Sequence, residues 1–475
     1  MEILSPENAV KMEIPSPKNA GQQIYINEIE LHTMKRLITD ELLKWKNDKD
    51  RKPLLLEGVR QCGKTYILKE FGKQQYKNFV YINFEEDPQF CDVFEPNLDP
   101  IRIVKDLGII HGEKIKPGST LMIFDEISYC NRALTSLKYF CEEAPEYHVA
   151  SAGSLLGVLT SKPNSFPVRK VDRLKMGPMS FKEFLLANSE EILVEHIEKN
   201  DPTKKLMEPL ESRLKRYLDQ YFAIGGMPEA VKSWVKEKDI EKVEKILDGI
   251  ITDYTKTFSK HASESLPKLM VIWKSIPLQL AKDNNKFMFG HVKTGLRSKD
   301  LKDALEWLID AGFVHKVTKI EKPELPLPMN VDTTSFKIYL ADVGIFRKMA
   351  DLPPNFSFSN DKRLDKYRGA AAENFLLNEL IATTGKTPYY WRSQYDAEVD
   401  FVSQMGWEVV PIEVKAGGGK AVSLSEYVER YSPKVAVTAS VYSGRSGAVS
   451  SIPLYFAWRI PAHVKAVTEE DAHTG

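Results

Sequence analysis

A chain of 475 residues has room for about three domains, and a hydrophobic content of 43% is too high for a disordered polymer. Its 66 Lys plus Arg equal its 66 Asp plus Glu, which excludes a global basic signature of nucleic-acid binding, so any such contact must be local. The four cysteines (Cys62, Cys91, Cys130 and Cys141) form no C-x-x-C pair, which argues against a zinc site or disulfide framework and suits a reducing cytoplasm. No apolar run reaches the roughly 18 residues needed to span a bilayer. The N-terminus carries no basic-then-apolar signal, so the expectation is a cytoplasmic protein without a membrane partner.

In chain order, MEILSPENA is nearly repeated as MEIPSPKNA, and residues 1–25 read as a disordered leader. A helix is predicted from about Glu28 to Lys46, with Asn27 as N-cap. The strand-length run PLLLEG follows, then Gly58-Val59-Arg60-Gln61-Cys62-Gly63-Lys64-Thr65, then helical spacing through Tyr66. Strand, G-x-x-x-x-G-K-T loop and helix stand in the order of a phosphate-binding loop. The glycines let backbone N–H groups converge on phosphate oxygens, and the helix aims its positive end there. Lys64 supplies charge for the β- and γ-phosphates of ATP, and the Thr65 hydroxyl ligates Mg²⁺. Cys62 reads as a small filler that makes the loop potentially sensitive to thiol reagents.

STLMIFDEIS is predicted as a buried strand ending in Asp125 and Glu126, 61 residues after Lys64. Asp125 is placed to hold Mg²⁺ opposite Thr65, and Glu126 to polarise the attacking water. FVYINFEED (79–87) is the expected inserted strand. In YHVASAGSLLG, Ser154 or Ser151 is a candidate γ-phosphate sensor; a plain strand-to-helix turn reads the same stretch equally well.

GVRQCGKT, LMIFDEIS and SAGSLLG, with FPVRKVDRLKMGPMSFKEFL, YFAIGGMPEAV and FKIYLADVGIF, resemble a bacterial and archaeal group of AAA-type predicted ATPases over roughly residues 30–460. The resemblance implies an AAA-like α/β fold over 26–205, ATP binding with Mg²⁺, hydrolysis, and a C-terminal domain of nuclease-like character. AAA-type ATPases often take an arginine from a neighbouring subunit, so a homo-oligomer is carried as an expectation. Arg132, Arg169 and Arg173 are candidates, and nothing ranks them.

Residues 206–264 read as a helical lid broken at Gly225-Gly226. Residues 265–350 resemble a winged helix. The Ser298–Asp310 helix mixes Lys299 and Lys302 with Asp300, Asp303 and Glu306, so it lacks the net positive charge of a phosphate-reading helix and leaves DNA an open partner.

The closing stretch, 351–462, holds a predicted helix in which Glu373 heads an apolar stripe with Leu376, Leu377 and Leu380. The hairpin EVDFVSQMGWEVVPIEVK follows. With Met405-Gly406 as a two-residue turn, Asp400 would oppose Pro411 and Glu398 would oppose Glu413. Glu398, Asp400, Glu413 and Lys415 would then share one face, and Val399, Phe401, Val410, Ile412 and Val414 the other. The pattern resembles PD-(D/E)xK nucleases, including the Holliday-junction resolvase branch. That resemblance implies Asp400 and Glu413 holding one or two Mg²⁺ or Mn²⁺ ions, Glu373 assisting, and Lys415 acting on the hydrolytic water. Residues from 463 read as a polar tail. The sequence thus supports two functions: an ATPase with a nuclease-like module acting on DNA, or a nucleotide-switched regulatory ATPase whose C-terminal fold is catalytically silent.

Overall fold

The computed structural model describes residues 34–474 except 154–166, 168, 263–264, 283–284, 293–297, 359–360, 395–396 and 417–420. The expected leader, Asn27, Glu28 and Ser154 lie outside the described residues. The first described helix, α1, covers Ile38–Asn47 and starts later than predicted. Arg36 is drawn inward instead, donating to Glu183 and to the Cys62 and Gly177 carbonyls, while the Leu37 N–H donates to the same Glu183 carboxylate.

Five parallel strands form the first sheet: β1 (Leu54–Glu57), β2 (Asn78–Asn83), β3 (Thr120–Asp125), β4 (His148–Gly153) and β5 (Asp172–Lys175), in the order β2-β3-β4-β1-β5. α2 (Lys64–Gln75), α3 (Pro100–His111) and α4 (Asn131–Glu143) connect them. Leu54, Leu56, Leu121 and Ile123 belong to one core and Leu55, Met122 and Phe124 to another. Burial on both faces explains why these strands read as unbroken apolar runs.

The middle of the chain is helical. Helices Glu208–Ile224 and Pro228–Glu237 break at Gly225, which has φ +78°. The break fits against Asp342, whose carboxylate accepts from the Gly226 N–H at 2.6 Å. A Cβ on Gly225 would lie 2.2 Å from Asp342 Oδ1, and one on Gly226 would lie 2.0 Å from the Met179 carbonyl. Both glycines are therefore needed for the close approach. The long helix Ile240–His261 follows, started by an Asp239 N-cap.

Eight further strands build the second sheet: β6 (Val314–Ile320), β7 (Val331–Leu340), β8 (Tyr389–Arg392), β9 (Glu398–Met405), β10 (Glu408–Val414), β11 (Ala436–Ser440), β12 (Gly444–Ser446) and β13 (Val449–Pro453). Their order is β12-β13-β11-β10-β9-β8-β6-β7. The β6–β7 hairpin, read from sequence as part of a winged helix, thus extends the C-terminal sheet. The predicted polar tail forms a helix, Ile460–Thr474, that buries Val464 and Val467.

Helix Asp365–Thr384 packs on this sheet and buries Glu379 against the ATPase-side segment. Glu379 Oε1 accepts from the Phe181 N–H at 2.7 Å, and Oε2 has no partner. Burial pushes its carboxyl up to about 8. The folded value lies above the unfolded one, near 4.3 for glutamate. The proton therefore favours folding: this contribution is complete in acid and is lost as pH rises through about 8. Glu379→Gln is expected to flatten the fall in urea midpoint between about pH 5 and 8. Equal falls in variant and wild type would refute the assignment.

Candidate active site

The loop between β1 and α2 is shaped by local constraints. Gly63 has φ +96°, and a Cβ on Gly58 would stand 2.0 Å from the Met176 carbonyl. Cys62 is fully buried with Sγ 3.3 Å from that carbonyl, so it is a filler shielded from thiol reagents. Val59 is buried, while Tyr66 on α2 is 41% exposed. The ammonium of Lys64 donates to the Gly58 and Val59 carbonyls at 2.9 and 3.1 Å, folding back over its own loop.

The ends of β1 and β3 flank β4, which brings Asp125 and Glu126 to the loop. Thr65 Oγ1 donates to Asp125 Oδ2 at 2.6 Å, and the Tyr81 hydroxyl donates to the same oxygen at 3.0 Å. A hydroxyl and a carboxylate in contact beside a phosphate loop are the hard oxygen donors that Mg²⁺ takes together with substrate phosphates. These residues fit that ion, which when bound would neutralise charge on the β- and γ-phosphates. Glu126 follows in a left-handed conformation, φ +48°. A non-glycine residue held there is strained, and such strain clusters at functional sites. Burial raises its carboxyl, opposed by the nearby charges of Lys64 and Arg60. Ser151 donates to the Leu54 carbonyl at 2.6 Å and is fully buried, so that sensor candidate serves the sheet.

Sequence reasoning placed Arg60 in the loop but missed Tyr81 beside Asp125 and the Glu85 carboxylate that holds the Arg60 guanidinium. Arg60 Nη2 pairs with Glu85 Oε2 at 2.7 Å and Nη1 donates to Thr257 Oγ1 at 3.0 Å. Glu85 Oε1 is also met by Lys260 at 2.6 Å and the Tyr129 hydroxyl at 3.0 Å. Gln61 donates to Asp253 at 3.0 Å, and the Tyr254 hydroxyl to the Arg60 carbonyl at 3.2 Å. Asp253, Tyr254, Thr257 and Lys260 all lie on Ile240–His261, so one helix grips both the loop and the turn after β2. Of the arginines weighed from sequence, Arg132 donates to the Phe94 and Glu95 carbonyls and Arg173 pairs with buried Glu57 at 2.6 Å. Arg169 is exposed with φ +60°.

In the C-terminal sheet, Met405 pairs with Glu408 and Val402 with Pro411, so the turn is Gly406-Trp407 rather than Met405-Gly406. Gly406, φ +65°, occupies the first central position, where a type II′ turn wants glycine. Asp400 therefore does not oppose Pro411, and Glu398 does not oppose Glu413. The predicted faces also fail. An irregularity in the β8–β9 pairing puts Val399 and Val402 in one core, whereas Phe401, Val410, Ile412 and Val414 belong to the other.

The acids divide accordingly. Lys337 on β7, fully buried, lies 2.6 Å from Glu398, 3.8 Å from Asp400 and 3.9 Å from Glu373. Glu373 Oε2 accepts from the Tyr339 hydroxyl and from Asn285, each at 2.8 Å. Asp400 Oδ2 accepts from the Val414 N–H at 2.8 Å. Glu413 instead pairs with Lys415 at 2.6 Å and accepts from the Leu424 N–H at 2.8 Å, at the start of helix Val422–Tyr431. The Lys415 charge acts on the Glu373 carboxyl, but among the described residues no cluster of three metal-ligating side chains suits a metal ion. A divalent ion between Glu373 and Asp400 would face the Lys337 ammonium at close range, so the four residues as placed do not fit a second Mg²⁺ or Mn²⁺. Burial would lower the Lys337 ammonium, but Glu398, Glu373 and Asp400 hold it above its ordinary value.

The parallel sheet, the phosphate loop and the Thr65–Asp125 contact define a P-loop ATPase-like domain. Comparison with known proteins agrees: residues 50–185 match the model of an AAA domain family, and residues 215–355 and 368–453 match two domains of unknown function, DUF8612 and DUF4143. An uncharacterized protein of Methanocaldococcus jannaschii is 24% identical over 363 residues, 73% of this chain and 71% of that protein. Uncharacterized proteins of Mycobacterium bovis and Mycobacterium tuberculosis are 29% identical over 109 residues, 23% of this chain and 24% of theirs, so the match spans about a quarter of those relatives. Among solved structures, a Walker-type ATPase of Pyrococcus abyssi aligns with TM-score 0.44 at 14% identity, over 67% of this chain and 96% of that one. The ORC1 protein of Aeropyrum pernix, solved in complex with DNA, aligns with TM-score 0.26 at 13% identity, over 67% and 91%. No described helix is long and apolar enough to cross a membrane.

Proposed function

We propose that this chain is a Mg²⁺-dependent ATP hydrolase working as a nucleotide-driven switch, with the C-terminal sheet a recognition or scaffold module. The observation that carries the reading is the Thr65 hydroxyl 2.6 Å from Asp125, beside Lys64 and Glu126. Lys64 would leave its loop carbonyls for the β- and γ-phosphates, and Thr65 with Asp125 would orient the metal. Glu126 would accept a proton from the attacking water. Helix Ile240–His261 would feel the change through Asp253, Tyr254 and Thr257, which already hold the loop.

Lys337 amid Glu373, Glu398 and Asp400 favours the silent reading of the C-terminal module over metal-dependent cleavage of DNA. Purified protein should release phosphate from ATP with Mg²⁺ and not with EDTA, and Lys64→Ala should abolish nucleotide binding. The same protein with Mn²⁺ should leave linear and branched DNA uncut. Absence of phosphate release would refute the ATPase reading, release unaffected by EDTA would refute its Mg²⁺ dependence, and cleavage lost in Asp400→Ala would refute the silent reading.

A further inference from the structure

We propose that Arg60 is a catalytic residue of this ATPase, acting from within its own phosphate loop, and that Glu85 and helix Ile240–His261 hold it parked until nucleotide enters. The proposal rests on the hydrolase reading above. In hydrolysis the water oxygen bonds the γ-phosphorus, the bond to the β,γ-bridging oxygen breaks, Glu126 takes the water proton, and ADP and phosphate leave. Negative charge on the transferring phosphoryl group then needs a cation beyond Lys64 and Mg²⁺, and an arginine in cis or in trans is the usual supply.

Three observations point to Arg60. It sits in the loop, four residues before Lys64, so its backbone is fixed in the segment that would wrap the phosphates. Its guanidinium partners, Glu85 and Thr257, come from outside the loop, and its side chain is 23% exposed. Those partners are the kind a mobile cation leaves: one carboxylate already shared with Lys260 and Tyr129, and one hydroxyl whose own proton is already donated to the Asp253 carbonyl at 2.9 Å. Glu85 therefore keeps a cationic partner when Arg60 departs, so no buried charge is stranded. Arg132 and Arg173, by contrast, are committed to backbone carbonyls and to a buried carboxylate.

The test measures ATP affinity, kcat, and capture of ADP with aluminium fluoride in the wild type and four variants. Arg60→Ala should bind ATP within about threefold of wild type, lose roughly 10³-fold in kcat, and fail to capture ADP with aluminium fluoride. Arg60→Lys should not restore the rate, because an ammonium lacks the planar fork. Glu85→Gln should turn over at least as fast as wild type, since it frees the guanidinium. Mixing Arg60→Ala with Lys64→Ala should give no recovery, because an arginine acting in cis cannot be lent to a neighbour. Wild-type turnover in Arg60→Ala, a slowed Glu85→Gln, or recovery on mixing would each overturn the proposal. A wild-type chain that binds ATP without turning it over would instead sink the hydrolase reading itself.

Discussion

Glu126→Gln is expected to hold MgATP as tightly as wild type while kcat falls by roughly 10²- to 10⁴-fold, the span that positioned general bases supply. The carboxylate follows Asp125, the last residue of β3 and the proposed metal-binding acid, and its left-handed backbone, φ +48°, turns it away from the strand direction. Its burial raises the carboxyl, and the fields of Lys64 and Arg60 pull it back. Glutamine keeps the size and removes the acceptor, which separates this role from loop packing. Single-turnover phosphate release beside equilibrium binding of a fluorescent ATP analogue decides the matter. Undiminished release in the variant would mean that another group activates the water.

Local patterns explain what the sequence made legible. Gly58 through Thr65 is contiguous; Gly58, Gly63, Lys64 and Thr65 are demanded by phosphate geometry, and Gly58 also by the closeness of Met176. Asp125 and Glu126 stand at the end of a run whose double-sided burial leaves no polar alternation. Arg60 was visible in the loop, but its partners Glu85 and Thr257 lie 25 and 197 residues away, and no periodicity reports such pairings. The hairpin was found but slipped by two: glycine serves either central position of a tight turn, and a shift of two keeps side-chain parity. The parity argument then failed at an irregularity in β8–β9, a pairing the hairpin alone does not contain. Lys337 carried the least signal. In FKIYL it reads as one charge among apolar neighbours, and its acids arrive only when Asp365–Thr384 and β9 close over β7.

Lys337→Met is expected to destabilise the chain by about 3–5 kcal/mol, the cost of removing one partner from a buried ionic cluster. Glu373, Glu398 and Asp400 converge on that ammonium, and nearby Arg392, 3.8 Å from Glu398, cannot replace it from a side chain that is 31% exposed. Burial already raises the Glu373 and Asp400 carboxyls, and losing the lysine raises them further. Protonation then favours the folded variant, so the deficit should shrink as pH falls from 8 toward 5. Three carboxylates without their internal cation are also an oxygen-rich seat for a hard ion, so millimolar Mn²⁺ should restore part of the lost stability. Urea midpoints of nucleotide-free protein, with and without Mn²⁺, read all three effects. The wild type should ignore Mn²⁺, because its own ammonium already occupies the centre of charge. Stabilisation of the wild type by Mn²⁺ that disappears in Asp400→Asn would show instead that a metal displaces Lys337, and would return the C-terminal sheet to the metal-dependent reading.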